Sequence, residues 1–268
     1  MFLRRWPIVC VALAVGSIVG IGADRRPLGP AAGTSLHGSA ATPAPRGTFR
    51  IGTFNIHGGR DAAGRFDLDR TASCLHGLHV VGLNEVYGRF PWQAADQAEL
   101  LGRKTGLAWL FAPNTSRWYR DDFGNGLLSS LPVRSWRREP LHCTQGKGFR
   151  NLIVAELEHE GATIHLIVTH LDRVRDRKAQ LEVVIQKFLA LPPPAILMGD
   201  LNTTADDPQL ARLLATPGVV DCVADGLAGK APKRIDWIIA RGLRAVSAGI
   251  KDEGASDHPL VWAEVEVD

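Results

Sequence analysis

Short apolar runs that stop abruptly on a polar residue constrain this chain more than any other feature. In Ala195-Ile-Leu-Met-Gly-Asp-Leu-Asn-Thr-Thr204 an uncharged run ends at Gly199-Asp200-Leu201-Asn202. A continuous apolar run bounded by turn chemistry reads as a fully buried strand. Its Asp-x-Asn end projects oxygen-bearing side chains from the strand edge, where α/β sheets usually carry their chemistry. A plain turn is the alternative, since Asp and Asn both favour turns through local hydrogen bonds. The same stop recurs at Asn55, Glu85, Asn125, His170, Asp236 and Asp257-His258.

Between these stops the periodicity switches repeatedly. Phe49–Ile56 reads as a strand broken by His57-Gly58-Gly59, and Val80–Leu83 as a buried strand running into Asn84-Glu85. Leu107–Ala112, Asn125–Ser129, Ile235–Ala240, Leu243–Ile250 and Leu260–Val267 are further strands, and Leu152–Leu157 with Thr163–Thr169 form a hairpin. Helices are expected over Asp67–Gly77, Trp92–Thr105, Asp176–Leu191 and Asp207–Leu214. Roughly ten strands and four helices in mixed order predict an α/β layered sandwich, two packed mixed β-sheets flanked by helices.

The N-terminus is of another kind. Arg4-Arg5 precede an uncharged apolar run of 18 residues, Trp6 to Ala23, closed by Asp24-Arg25-Arg26. Residues 1–23 are expected as a cleaved signal peptide or a membrane anchor. The protein is then exported, whether secreted, periplasmic or tethered with its domain outside the cytoplasm. Residues 24–47, rich in Gly, Ala, Pro, Ser and Thr, are expected as a disordered linker. Residues 48–268 form the catalytic domain, expected to be a monomer. The net charge of +3 permits a phosphate-bearing partner without arguing for one. Cys74, Cys143 and Cys222 are not spaced as a metal clip and read as free thiols.

No Walker loop, Gly-x-Ser-x-Gly elbow or Cys-x-x-Cys pair is present, which removes support for phosphate-binding loops and acyl-serine chemistry. The strand ends are rich in carboxylates and carboxamides. Hard oxygen ligands suit Mg²⁺, with Mn²⁺ as the second choice, and disfavour zinc. Glu85 with Asn55 or Asp257 would suffice for such a cation.

Thr53-Phe54-Asn55, Gly82-Leu83-Asn84-Glu85-Val86, Gly124-Asn125-Gly126-Leu127-Leu128-Ser129, Thr169-His170-Leu171, Gly199-Asp200-Leu201-Asn202, Arg234-Ile235-Asp236 and Ser256-Asp257-His258 stand in one order. Together they resemble the endonuclease/exonuclease/phosphatase (DNase I-like) superfamily over almost all of Arg50 to Val267. One departure is Asn84, where a Gln before the Glu is usual. The resemblance implies that Glu85, Asn55 and Asp257 hold the metal. It implies that His258, oriented by Asp236, acts on the attacking water or the phosphate, with Asp200 the competing candidate for the water. His170 would stabilise the transition state or protonate the leaving oxygen, Asn202 would bind a phosphate oxygen, and Asn125 would organise the site.

The implied activity is phosphodiester hydrolysis by direct attack of water, on nucleic acid or on a phospholipid or sphingomyelin headgroup. A phosphomonoesterase on sugar or inositol phosphates and a non-catalytic binding module of the same fold are the alternatives. Arg150 either faces phosphate or is solvated. The basic run Arg173, Arg175, Arg177 and Lys178 is either a solvated helix start or a contact to the substrate backbone. Trp118-Tyr119 is read as a stacking pair or as ordinary packing.

Overall fold

A computed structural model describes residues 26–41, 43–89, 94–117, 120–121, 123–144 and 148–268. The N-terminal apolar run and Trp118-Tyr119 lie outside the described residues. Strands are numbered along the chain. One sheet has six, in the order β15 (Leu243–Lys251), β16 (Leu260–Val267), β3 (Phe49–Asn55), β4 (Val80–Val86), β8 (Gly124–Ser129) and β5 (Ala108–Pro113). The other has seven: β13 (Val219–Asp221), β14 (Asp236–Arg241), β12 (Ala195–Asp200), β11 (Ala162–His170), β10 (Arg150–His159), β9 (Val133–Leu141) and β2 (Ala31–Gly33). Each sheet is mixed, with one parallel pair, β3 with β4 and β11 with β12, among antiparallel neighbours. A small third sheet joins β1 (Arg26–Pro27), β6 (Thr115–Arg117) and β7 (Arg120–Asp121).

The two large sheets pack face to face. Ile51, Val80, Leu127 and Ala263 from the first meet Ile153, Val168, Ile196, Met198 and Ile238 from the second in one buried core. Helices Leu68–Cys74 and Gln97–Thr105 cover the outer face of the six-stranded sheet through Leu68, Ala72 and Leu101 against Val81, Leu83 and Leu128. Helices Arg177–Ala190 and Pro208–Leu214 cover the other outer face through Leu181, Val184, Phe188 and Leu213 against Leu197 and Ile239. The central strands are therefore buried on both faces, which is why they are written as unbroken apolar runs rather than alternating ones. The layered α/β sandwich is as the sequence implies, and the hairpin pairs in register from Leu152 with Thr169 to His159 with Ala162.

Within the segment expected as a disordered linker, Ala31, Ala32 and Gly33 instead pair with Arg138, Arg137 and Trp136 of β9, and His37 bridges Trp109 on the edge strand β5. A side chain at Gly33 would run into the Trp136 indole, so small residues let the backbone lie flat there. Composition misses this because backbone hydrogen bonds, not an apolar period, attach the segment. Strand β9 was hidden likewise, because Arg134, Arg137, Arg138 and Glu139 leave it without an apolar alternation. The second helix is described from Gln97, where Asp96 caps it by accepting the Glu99 N–H at 2.8 Å; the expected start at Trp92 lies outside the described residues. Cys74 and Cys222 are buried thiols. Among the described residues no helix is long and apolar enough to cross a membrane.

Candidate active site

Register brings the strand-end residues together. The parallel pair β3–β4 sets Asn55 beside Asn84, and the parallel pair β11–β12 sets His170 beside Asp200. Antiparallel pairing then puts Asp236 opposite Asp200. Ser256-Asp257-His258 enter from the turn before β16, anchored by Ser256 Oγ donating to the Asn55 carbonyl at 2.7 Å. The site thus sits at one end of the sandwich, shared by both sheets.

Asn55 joins its two halves. Its Nδ2 donates to Glu85 Oε1 and to Asp200 Oδ2, each at 3.2 Å, while its Oδ1 accepts the His57 N–H at 3.1 Å. Glu85 has a left-handed backbone, φ 59°, at a register shift in β4. Such a conformation costs a non-glycine residue energy and persists only where its surroundings enforce it. Asp200 is further tied by the Asn202 N–H to its Oδ1 at 2.9 Å. His258 Nδ1 meets Asp236 Oδ2 at 2.8 Å, and its Nε2 lies 3.9 Å from Asp200 Oδ2. His170 Nε2 lies 3.4 Å from the same oxygen. Asp257 Oδ1 is 3.7 Å from His57 Nδ1.

The electrostatics follow from burial and proximity. Burial raises Asp200 to about 7, aided by the Asp236 charge and opposed by His258. Burial also raises Asp236, with His258 opposing. For His258, burial works against the charged form, but the Asp236 hydrogen bond and the surrounding carboxylates prevail and lift it to about 9. Burial drives His170 well below 6.5, reinforced by the positive charges of Arg150 and His258. His170 is therefore a neutral imidazole, suited to hydrogen bonding rather than to delivering a proton as imidazolium.

A run of carboxamides supports these groups. Asn84 Nδ2 donates to Asn125 Oδ1 at 2.9 Å and to the Thr169 carbonyl at 3.0 Å. Asn125 Nδ2 in turn donates to the Asn151 carbonyl and to Asn151 Oδ1, both at 3.0 Å, and Asn151 reaches the Ala112 carbonyl at 2.9 Å. Asn125 is buried with both ends of its amide engaged in this run. Sequence reasoning missed Asn151. The signal was a carboxamide opening an otherwise apolar strand, directly after Arg150. Asn202 also has a holding part, donating from Nδ2 to the Leu171 carbonyl at 3.0 Å. Arg150 is not a solvated side chain: burial lowers its pKa, its guanidinium lies 5.4 Å over the Phe123 ring, and its Nε is buried without a partner. A half-buried cation whose Nε has no partner among the described residues suits an incoming phosphate.

Asp200, Asp236 and His258 present ligand atoms within 4.8 Å of one another, a geometry that suits a cation as well as a dyad. His258 Nδ1 and Asp236 Oδ2 are bonded to each other, while Asp236 Oδ1 has no hydrogen-bond partner among the described residues. The buried Asp236 Oδ1 is thus a free acceptor that a cation would satisfy. Of the expected cation ligands, Asn55 turns its Nδ2 towards Glu85 Oε1 at 3.2 Å, and Asp257 Oδ1 accepts from Ser256 Oγ at 3.2 Å. A cleft of about 530 Å³ between Pro232, Ile235, Ile250 and Pro259 opens beside His258. A larger cavity of about 770 Å³, near Leu28, His37 and Trp109, holds none of these groups.

Comparison with known proteins agrees with this geometry. The model of the Endonuclease/Exonuclease/phosphatase family matches residues 52–258. Tyrosyl-DNA phosphodiesterase 2 of Danio rerio is 25% identical over 139 residues, which are 50% of this chain and 37% of that protein. Its Xenopus tropicalis counterpart is 30% identical over 92 residues, 33% of this chain and 25% of that protein. The chain therefore matches well under half the length of these relatives. Among solved structures, an endonuclease/exonuclease/phosphatase from Beutenbergia cavernae superposes with a TM-score of 0.65 at 22% identity, covering 83% of this chain and 72% of that one. Danio rerio TDP2 complexed with single-strand DNA product superposes with a TM-score of 0.58 at 20% identity, covering 82% and 99%. With its family's motifs gathered in one mouth and its model spanning most of the domain, the chain belongs to the endonuclease/exonuclease/phosphatase family.

Proposed function

We propose that this chain is a divalent-metal-dependent phosphodiesterase that cleaves nucleic-acid diesters by direct attack of water. The observation that carries the reading is the convergence on Asp200: one carboxylate oxygen lies within reach of Asn55, His170 and His258, and His258 is locked to Asp236. Glu85, Asn55 and Asp257 would hold Mg²⁺ or Mn²⁺, which supplies polarisation of a phosphoryl oxygen and neutralisation of developing charge.

The chain's own groups do the rest. Asp200, poised near neutrality, accepts the proton of the attacking water. His258, kept as imidazolium by Asp236, donates to a phosphate oxygen from Nε2. His170 and Arg150 hold the phosphate from the other side. Nucleic acid is favoured over a lipid headgroup by the relatives, named for tyrosyl-DNA, and by the neighbour holding a DNA product. Residues 6–23 export or tether the domain, which protease accessibility on intact cells tests.

The decisive experiment is Glu85→Gln. Mg²⁺-stimulated hydrolysis of bis-p-nitrophenyl phosphate should be lost while the circular dichroism spectrum is retained. Wild-type protein inactive on DNA, RNA, sphingomyelin and generic diesters in Mg²⁺ or Mn²⁺ would refute the reading.

A further inference from the structure

The turn leaving β11 carries Arg173, Arg175, Arg177 and Lys178. Arg173, Arg175 and Lys178 are exposed and Arg177 is half-buried; none forms an ion pair among the described residues. The acids between them are occupied, Asp172 accepting the Val174 N–H at 3.1 Å and Asp176 accepting the Thr144 N–H at 3.1 Å. The four cations crowd the N-terminal end of helix Arg177–Ala190, whose first turn has no acidic residue. A helix dipole disfavours cations there, and like charges at this spacing repel. Asp176 at the N-cap, its pKa lowered by the Thr144 hydrogen bond and in part by the Arg175 charge, offsets only part of this excess.

The turn is also bolted to the site. Arg177 Nη1 donates to the Asn202 carbonyl at 3.1 Å, and Asn202 Nδ2 donates back to the Leu171 carbonyl at 3.0 Å. The Asp172 N–H is fixed by Gln180 Oε1 at 2.8 Å. We propose that Arg173, Arg175 and Lys178 form a track for the phosphates flanking the scissile one, so that the substrate is a single-stranded nucleic acid rather than a small isolated diester. The inference rests on the phosphodiesterase reading above. An anionic bilayer is the weaker match, because a membrane-binding surface adds large apolar side chains to its cations and Val174 is the one exposed large hydrophobic residue on this turn.

The test is the triple variant R173Q/R175Q/K178Q of the full chain, assayed in Mg²⁺ on a short single-stranded oligonucleotide and on bis-p-nitrophenyl phosphate across NaCl concentrations. Each cation lost from a single-strand contact removes about 0.7 from the salt slope, so the slope should fall by about 2 and kcat/KM on the oligonucleotide about tenfold at low salt. Hydrolysis of the small diester should not change. Equal losses on both substrates, or no loss on either, would overturn the track. So would loss of binding to phosphatidylserine vesicles with oligonucleotide cleavage intact, which would assign the turn to a membrane. If wild type cleaves neither substrate, the phosphodiesterase reading falls. Oligonucleotide anisotropy in EDTA then decides the track: weaker, less salt-dependent binding by the variant supports it, and unchanged binding refutes it.

Discussion

Asn84 in one sheet accepts the backbone N–H of Asp200 in the other, at 3.0 Å. This bond ties β4 to β12 across the sandwich at the residue where the site converges. The same side chain donates to Asn125 and to the Thr169 carbonyl.

Asn84→Ala should therefore destabilise the protein by about 3 kcal/mol, because it strands several buried partners at once. It should also lower kcat more than it raises KM, since Asp200 loses its position. Urea unfolding followed by steady-state kinetics checks both.

Asp236→Asn should leave the fold intact and cut kcat by about a hundredfold or more, the usual range for disabling a positioned acid–base pair. The His258 pKa should drop from about 9 towards 6.5, because the Asp236 hydrogen bond is the main influence raising it. A raised histidine contributes stability fully below its ordinary value and loses it as pH rises through the folded one. Wild type should thus lose an increment of stability as pH approaches 9 that the variant lacks. Nitrogen-15 NMR of the imidazole and unfolding midpoints from pH 7 to 10 measure the two effects.

His170 gives the opposite sign. Its folded pKa lies well below 6.5, so the unfolded chain binds the proton first as pH falls. Stability should decline below pH 6.5 by about 1.4 kcal/mol for each pH unit until the folded value is reached. His170→Gln should flatten that acid limb, read as the difference between the two proteins' urea midpoints at pH 7 and pH 5.

Gly199→Ala tests the path of β12. Gly199 has φ 143°, and an added Cβ would stand 1.8 Å from the Thr169 carbonyl oxygen. The backbone must move at the residue before Asp200, so about 3–5 kcal/mol of stability and most of the activity should be lost. Thermal unfolding and the diester assay report the outcome.

The sequence by itself determined the layered fold and most of the site. An apolar run such as Ala195–Met198 survives in water only when covered on both faces, and polar residues at the ends of such strands can only lie at the rim. It did not determine how the side chains divide the work. Asn202 reads on paper as a phosphate ligand, yet its side chain donates to the Leu171 carbonyl, and Asn125 is tied to an Asn151 that the sequence did not single out. Arg150 turned inward over Phe123, His170 became a neutral imidazole, and Ala31–Gly33 joined a sheet edge only in three dimensions. Burial and pairing across distant segments set a side chain's partners and charge state, and neither quantity is local in sequence.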